Sequence, residues 1–170
     1  MLIPRKTKLR CIILEDKDLV YIFSDGSSLG NPGPGGYGIL LKFKKYEKEV
    51  KKGYILTTNN RMELLGAISG LELLKKKYKV ILITDSRYVV DGINLGWARK
   101  WKLNNWMKNK KDKAKNIDLW ERLLKQTNRH DVTFQWTAGH SGHEENERSD
   151  QLATSAANGS NLIEDIGFEK

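Results

Sequence analysis

Two short apolar runs set the frame of this chain. Leu19-Val20-Tyr21-Ile22-Phe23-Ser24 leads into Asp25-Gly26-Ser27, and Val80-Ile81-Leu82-Ile83-Thr84 leads into Asp85-Ser86-Arg87. Both runs have the length and the β-branched or aromatic content of a buried strand. Each therefore delivers an aspartate to the carboxyl end of a strand, where open α/β sheets place their ligands. If the strands are parallel neighbours, the two carboxylates share one cleft. Like charges that close are costly unless a cation sits between them, so the pattern points to a divalent metal.

The remaining pattern predicts further elements. Ile39–Phe43 has strand character, and Glu47–Val50 with Gly53–Leu56 forms a third strand returning by a hairpin. Thr57-Thr58-Asn59-Asn60 offers helix-cap side chains ahead of a helix over Arg61–Lys75, whose Leu64, Ile68, Leu71 and Leu74 recur at helical spacing. Glu63 is expected in its first turn, where the helix dipole favours a carboxylate. Gly66 and Gly70 would let this helix lie close to the sheet and aim Glu63 at the strand ends. A short helix from about Arg87 to Ile93 follows. Then come a helix over Asn116–Lys125 with Ile117, Trp120, Leu123 and Leu124 as its stripe, an alternating strand Val132–Trp136 and a helix from about Glu144 to Ala157. Before the first run, Arg10–Leu14 and the charged Glu15–Asp18 suggest a hairpin with Leu19–Ser24. Beyond Ala157 the chain is polar and expected to fray.

Gly30–Gly38 is expected to be a turn-rich connection. It contains G-x-G-x-x-G from Gly33 to Gly38, but a dinucleotide fingerprint must open a helix, whereas this one holds Pro34 and leads into a strand. The glycines are assigned instead to a tight turn and close backbone approach to a ligand.

Length and composition narrow the class. With 170 residues and a single cysteine, Cys11, one domain without internal disulfides is expected, suited to a reducing compartment. No run approaches the roughly 18 apolar residues of a membrane span, and Cys11–Leu14 is too short for a signal-peptide core. A cytoplasmic monomer is the expectation. The net charge of +9 is uneven: between Trp97 and Lys115, eight bases (Arg99, Lys100, Lys102, Lys108, Lys110, Lys111, Lys113, Lys115) face Asp112 alone, a net +7. Such a run is commonly a solvated face. Here Trp97, Trp101 and Trp106 lie among the bases, with Trp97 and Trp101 spaced to share a helix face. Indoles beside cations suit a sugar-phosphate backbone, which favours nucleic-acid binding.

The candidate acids are Asp25, Glu63, Asp85 and Asp150: two at strand ends, one at a helix start and one on a helix after the Gly-His-rich loop 139–143. Hard oxygen donors without a cysteine cluster select Mg²⁺ or Mn²⁺ over zinc. His140-x-x-His143 alone is a weaker zinc pattern.

Four blocks of the chain resemble bacterial type 1 ribonuclease H: Asp25–Gly38, Thr57–Leu64, Thr84-Asp85-Ser86 with Tyr88-Val89, and Gly139–His143 through Asn146–Asp150. The resemblance covers about Leu19 to Ala157, taken as the catalytic domain (19–157) between an N-terminal extension (1–18) and a C-terminal tail (158–170). It implies an α/β fold with a mixed five-stranded sheet flanked by helices. It also implies endonucleolytic cleavage of the RNA strand of RNA·DNA hybrids, leaving 5′-phosphate and 3′-hydroxyl ends. By the same resemblance Asp25, Glu63, Asp85 and Asp150 hold two Mg²⁺ ions, with Mn²⁺ as a substitute, and His140 is a loop histidine assisting proton transfer or product release. The segment with Trp97, Lys100, Trp101, Lys102 and Trp106 resembles the family's hybrid-gripping basic protrusion. Asn31, Asn59 and Asn60 match duplex-contacting positions, and Thr58 and Asn116 match positions that engage a DNA phosphate.

Two positions depart from the family pattern. Arg87 stands where Gln is common, adding a candidate phosphate contact, and Ala138 stands where Lys is familiar, removing a cation near the His loop. Two other readings compete: a DNA-cutting or strand-transferring enzyme on the same fold, and a duplex-binding module without catalysis. The four intact acids argue against the second.

Overall fold

In the computed structural model the described residues are 18–169; the hairpin expected over Arg10–Leu14 lies outside them. The elements in chain order are β1 (Leu19–Ser28), β2 (Gly33–Phe43), β3 (Tyr46–Thr57), α1 (Asn59–Glu72), β4 (Lys79–Thr84), α2 (Arg87–Asn94), α3 (Trp97–Leu103), α4 (Ile117–Arg129), β5 (Asp131–Trp136), α5 (Glu144–Ala157) and β6 (Leu162–Ile163). The strands form one sheet in the order β5-β4-β1-β2-β3-β6. β1, β4 and β5 are parallel, β1-β2-β3 is an antiparallel meander, and β6 is parallel to β3.

This is the expected mixed α/β sheet, with six strands rather than five. The sixth strand corrects the expectation of a frayed tail. Leu162 and Ile163 pair with Gly53 and Tyr54, and Asp165 beyond them is buried against Arg61. A two-residue strand has no periodicity to betray it in a sequence.

Side chains alternate across the sheet. One face carries Ile22, Ser24, Tyr37 and Ile39 and is covered by α1, whose Gly66 and Gly70 sit over these residues. The core lies here, where Met62, Leu64, Ile68 and Leu71 meet Ile22, Ile39 and Leu82, with Trp120 of α4 fully buried beside them. The other face of the meander carries Gly36 and Gly38 and is covered by α5.

Two local expectations change. The glycine run turns only up to Pro32: from Gly33 it is strand β2, and Gly35, Gly36 and Gly38 pair with Ser28, Ser27 and Asp25 inside the β1–β2 ladder. The cause is helix approach. A Cβ on Gly38 would lie 2.3 Å from the Ser149 carbonyl oxygen and 2.5 Å from Leu152 Cβ, so only glycine lets α5 lie directly on the strand. Helix α1 starts at Asn59, with Thr58 Oγ1 accepting the Arg61 N–H at 3.3 Å. Glu63 therefore falls in its second turn, buried, and not in the first turn where the dipole acts. Within the Trp-and-Lys segment only Trp97–Leu103 is helical; the rest is a loop closed by Lys108 N–H to Asp112 O (2.8 Å) and Ala114 N–H to Trp106 O (2.7 Å).

Candidate active site

Three elements bring three carboxylates together. The parallel β1–β4 ladder runs from Leu19–Lys79 to Phe23–Ile83 and stops there. Asp25 is thus not at the end of β1, which continues to Ser28 alongside β2, but just past the end of the parallel ladder. Asp85 follows the last residue of β4. Helix α1 crosses β1 at Gly26, where a Cβ would sit 2.3 Å from the Glu63 backbone nitrogen. That close crossing delivers the Glu63 side chain to the same place. Oxygens of Asp25, Glu63 and Asp85 all lie within 4.8 Å of one another.

The electrostatics of this cluster are unfavourable as it stands. Burial, then the charge of Asp85, pushes the Asp25 carboxyl up to about 8. Burial, then Asp25 and Asp85, pushes Glu63 well above the usual carboxylate range. Asp85 is also raised, by burial and then by Asp150, while His140 draws it back down. The Gly26 N–H donates to Asp25 Oδ1 at 2.8 Å, but Glu63 Oε2 is buried without a hydrogen-bond partner. Buried oxygens short of donors and carboxylates that resist ionisation fit a hard divalent cation. Among the described residues this group contains neither His nor Cys, so the zinc reading through His140 and His143 gains no support.

Asp150 lies outside this trio, half-buried on α5. Its neighbour Ser149 rests on Gly38, which pairs with Asp25; α5 thus carries Asp150 close enough to raise both Asp25 and Asp85. His140 is exposed on the β5–α5 loop with a left-handed backbone (φ 54°). The loop touches the cluster directly: a Cβ on Gly139 would lie 2.5 Å from Asp85 Oδ2.

The family model for RNase H matches residues 16–158. The chain belongs to the RNase H family. It is 56% identical over 147 residues to a protein named Ribonuclease H from Desulforamulus reducens, covering 86% of this chain and 92% of that protein. It is 54% identical over 149 residues to Ribonuclease H of Syntrophus aciditrophicus, covering 88% and 86% respectively. Among solved structures it resembles LC9-RNase H1, described as a type 1 RNase H with the type 2 active-site motif, at a TM-score of 0.74 and 33% identity over 82% of this chain and 72% of that one. LC11-RNase H1, solved in complex with an RNA/DNA hybrid, shares the fold at a TM-score of 0.63 and 22% identity, over 81% of this chain and 96% of that one.

The candidate nucleic-acid residues fall into separate groups. Asn31, Thr58, Asn60 and Asn116 line one cavity of about 570 Å³, together with Lys113 and Lys115. Asn31 Oδ1 accepts the Asn59 N–H at 3.0 Å, tying the β1–β2 connection to the start of α1. The Arg87 guanidinium stacks 3.6 Å above the Trp136 ring centroid, and Trp136 Nε1–H donates to the Asp85 carbonyl at 3.0 Å. Trp97 and Trp101 share a helix face, with ring centroids 6.4 Å apart. Trp101 also meets buried Trp120 edge-on at 6.0 Å, and Trp106 Nε1–H donates to Glu121 at 3.2 Å. These two indoles tie the segment to α4, while Trp97 is 40% exposed. Lys100 and Lys102 are exposed in the last turn of α3.

Sequence reasoning missed the far wall of the cavity, made by Gly167, Phe168 and Glu169. It also missed the Arg61–Asp118–Asp165 ion-pair network behind it. Arg61 stands inside the Thr57–Leu64 block and was the one available signal; nothing in the spacing of Asp165 announced a partner so far back in the chain.

Proposed function

We propose that this chain is a ribonuclease H that hydrolyses the RNA strand of RNA·DNA hybrids, giving 5′-phosphate and 3′-hydroxyl ends. The observation that carries this reading is the meeting of Asp25, Glu63 and Asp85 oxygens within 4.8 Å, in a chain whose relatives bear that name. The solved complex of LC11-RNase H1 with an RNA/DNA hybrid supports the choice of substrate. Asp25, Glu63, Asp85 and Asp150 hold two Mg²⁺ ions, for which Mn²⁺ can substitute. Bound there, such ions supply an activated nucleophile and charge neutralisation at the departing oxygen.

The chain's own groups do the rest. His140, exposed on the loop beside Asp85, assists proton transfer or product release. Asn31, Asn59 and Asn60 contact the duplex in its wide, shallow minor groove, where the ribose 2′-hydroxyl distinguishes RNA from DNA. Thr58 and Asn116 take a phosphate of the DNA strand in the 570 Å³ cavity, and Arg87, held over the Trp136 ring, adds a cation for the backbone. Trp97, Lys100, Trp101, Lys102 and Trp106 belong to the protrusion that grips the hybrid backbone through counterion release. The catalytic unit is residues 19–157, acting as a monomer in the cytoplasm. Among the described residues no helix is long and apolar enough to cross a membrane.

Incubation with Mg²⁺ and end-labelled hybrid, single-stranded RNA and duplex DNA tests the assignment. Only the RNA strand of the hybrid should be cut. No hybrid cleavage, or equal cutting of duplex DNA, overturns it.

A further inference from the structure

Arg61 looks like a phosphate ligand by position. It lines the same cavity as Thr58, Asn60 and Asn116, yet it is only 2% exposed. A guanidinium has five N–H donors, and all five are committed. Nε and Nη2 donate to Asp165 at 2.6 and 2.9 Å, Nη2 and Nη1 donate to Asp118 at 2.8 and 2.9 Å, and the remaining Nη1 hydrogen reaches Asn116 Oδ1 at 3.4 Å. No donor is left for an anion. One cation between two carboxylates also leaves the group with a formal charge of −1, so the attraction for a phosphate must come from Lys113 and Lys115 at the cavity wall.

What Arg61 does control is the orientation of Asn116. Arginine donates and never accepts, so the Asn116 carbonyl must face it and the amide nitrogen must face away. That nitrogen donates one hydrogen to Tyr88 Oη at 3.1 Å. Trp120 Nε1–H also donates to Tyr88 Oη, at 3.0 Å; the phenol can accept or donate, so it fits this orientation and it is Arg61 that selects it. The second amide hydrogen of Asn116 is left for the cavity. Asn116 is free to play this part because it does not cap α4: it sits at the N-cap position with a left-handed backbone and makes no side-chain capping bond.

The fixed point behind this arrangement comes from the C-terminal segment. Asp165 is 8% exposed, is brought in by the pairing of β6 with β3, and accepts from Thr57 Oγ1 at 2.7 Å as well as from Arg61. We propose that Asp165 is a positioning residue of the nucleic-acid site: through Arg61 it holds the Asn116 amide so that an N–H, not the carbonyl, faces a phosphate of the hybrid. This rests on the hybrid-cleaving reading and adds the C-terminal segment to its working parts.

The test is Asp165→Asn, Asn116→Ala and the double variant, in the full chain. Losing one hydrogen bond to a charged phosphate should raise KM for the hybrid about tenfold in Asp165→Asn, with kcat held within about twofold. Asn116→Ala should raise KM by a similar factor, and the double variant should be no worse than either single one. A residue that only braced the fold would lower Tm and leave KM of the folded enzyme unchanged; that result, or multiplied effects in the double variant, overturns the proposal. Should Asp165→Asn not fold, Thr57→Val removes only the hydroxyl that steadies Asp165 and should raise KM about threefold. An unchanged KM in that variant is equally fatal. Hybrid affinity measured in EDTA reads the same hydrogen bond without cleavage. A parent chain that binds hybrid but never cuts it therefore sinks the functional reading while still deciding this one.

Discussion

Asp25 lies buried between Glu63 and Asp85, and its carboxyl is pushed from the ordinary 3.8 up to about 8. In the folded, metal-free chain it keeps its proton over a range where the unfolded chain has lost it. The folded state then binds more protons, so stability falls as pH rises and the contribution is gone above about 8. Glu63 and Asp85, both raised, act in the same direction. Thermal unfolding in EDTA should therefore give a higher Tm at about pH 5.5 than at about pH 9, and Mg²⁺ should remove most of that difference by neutralising the carboxylates. Asp25→Asn should abolish cleavage, retain hybrid binding and stabilise the metal-free protein at about pH 8 by roughly 2 kcal/mol, since an amide has no charge to desolvate. A lower Tm for that variant in EDTA at the same pH would contradict the electrostatic account. At this scale the sequence was informative where a motif marked a residue: Asp25 and Asp85 each followed an apolar run. It was silent on Asp165, because an ion pair closed across 104 residues leaves no local trace.

The helices are placed by what the strands omit. Local propensity makes all of Gly30–Gly38 a turn-rich connection, since glycine favours turns over strands, yet from Gly33 it is strand. The strand forms because α5 needs bare backbone beneath it, a requirement set by an element more than a hundred residues later and invisible to any local window. The same helix could be recognised from its own pattern, Glu144–Ala157, without revealing how near the sheet it lies. Proximity is the functional part, because Asp150 rides on α5 next to the residue that rests on Gly38. Gly38→Ala pits a methyl group against the Ser149 carbonyl at 2.3 Å, and backbone cannot rotate out of the way. Overpacking should cost about 1–3 kcal/mol in urea unfolding and lift Asp150 from the cluster, lowering kcat. Gly66→Ala is the control: nothing lies nearer than 3.3 Å to its Cβ, so its loss of stability and of kcat should be smaller. Equal effects would mean that α5 accommodates the methyl group without moving its acid.

Across the whole molecule, the buried carboxylates and the main concentration of positive charge belong to different segments of the chain. The buried carboxylate cluster offers a polyanion no attraction until cations fill it, whereas the segment from Trp97 to Lys115 carries a net +7 of the chain's +9. Long-range attraction for a duplex must then come from that segment, and the carboxylates must do their work only after the backbone has been captured. The segment is built to hold its charges out. Trp101 and Trp106 tie it to Trp120 and Glu121, while the Met107–Lys113 bridge closes the loop that carries Lys108, Lys110 and Lys111. Replacing Lys100, Lys102 and Lys108 by Ala should weaken hybrid binding and flatten the dependence of log K on log salt by about one unit for each phosphate that is no longer neutralised. The change should persist in EDTA, because it does not pass through the metal centre, and it should be alike for hybrids of different sequence, because a phosphate carries no base code. A slope unchanged by all three substitutions would reduce the lysines to a solvated surface and return the task of capture to the Lys113 and Lys115 cavity alone.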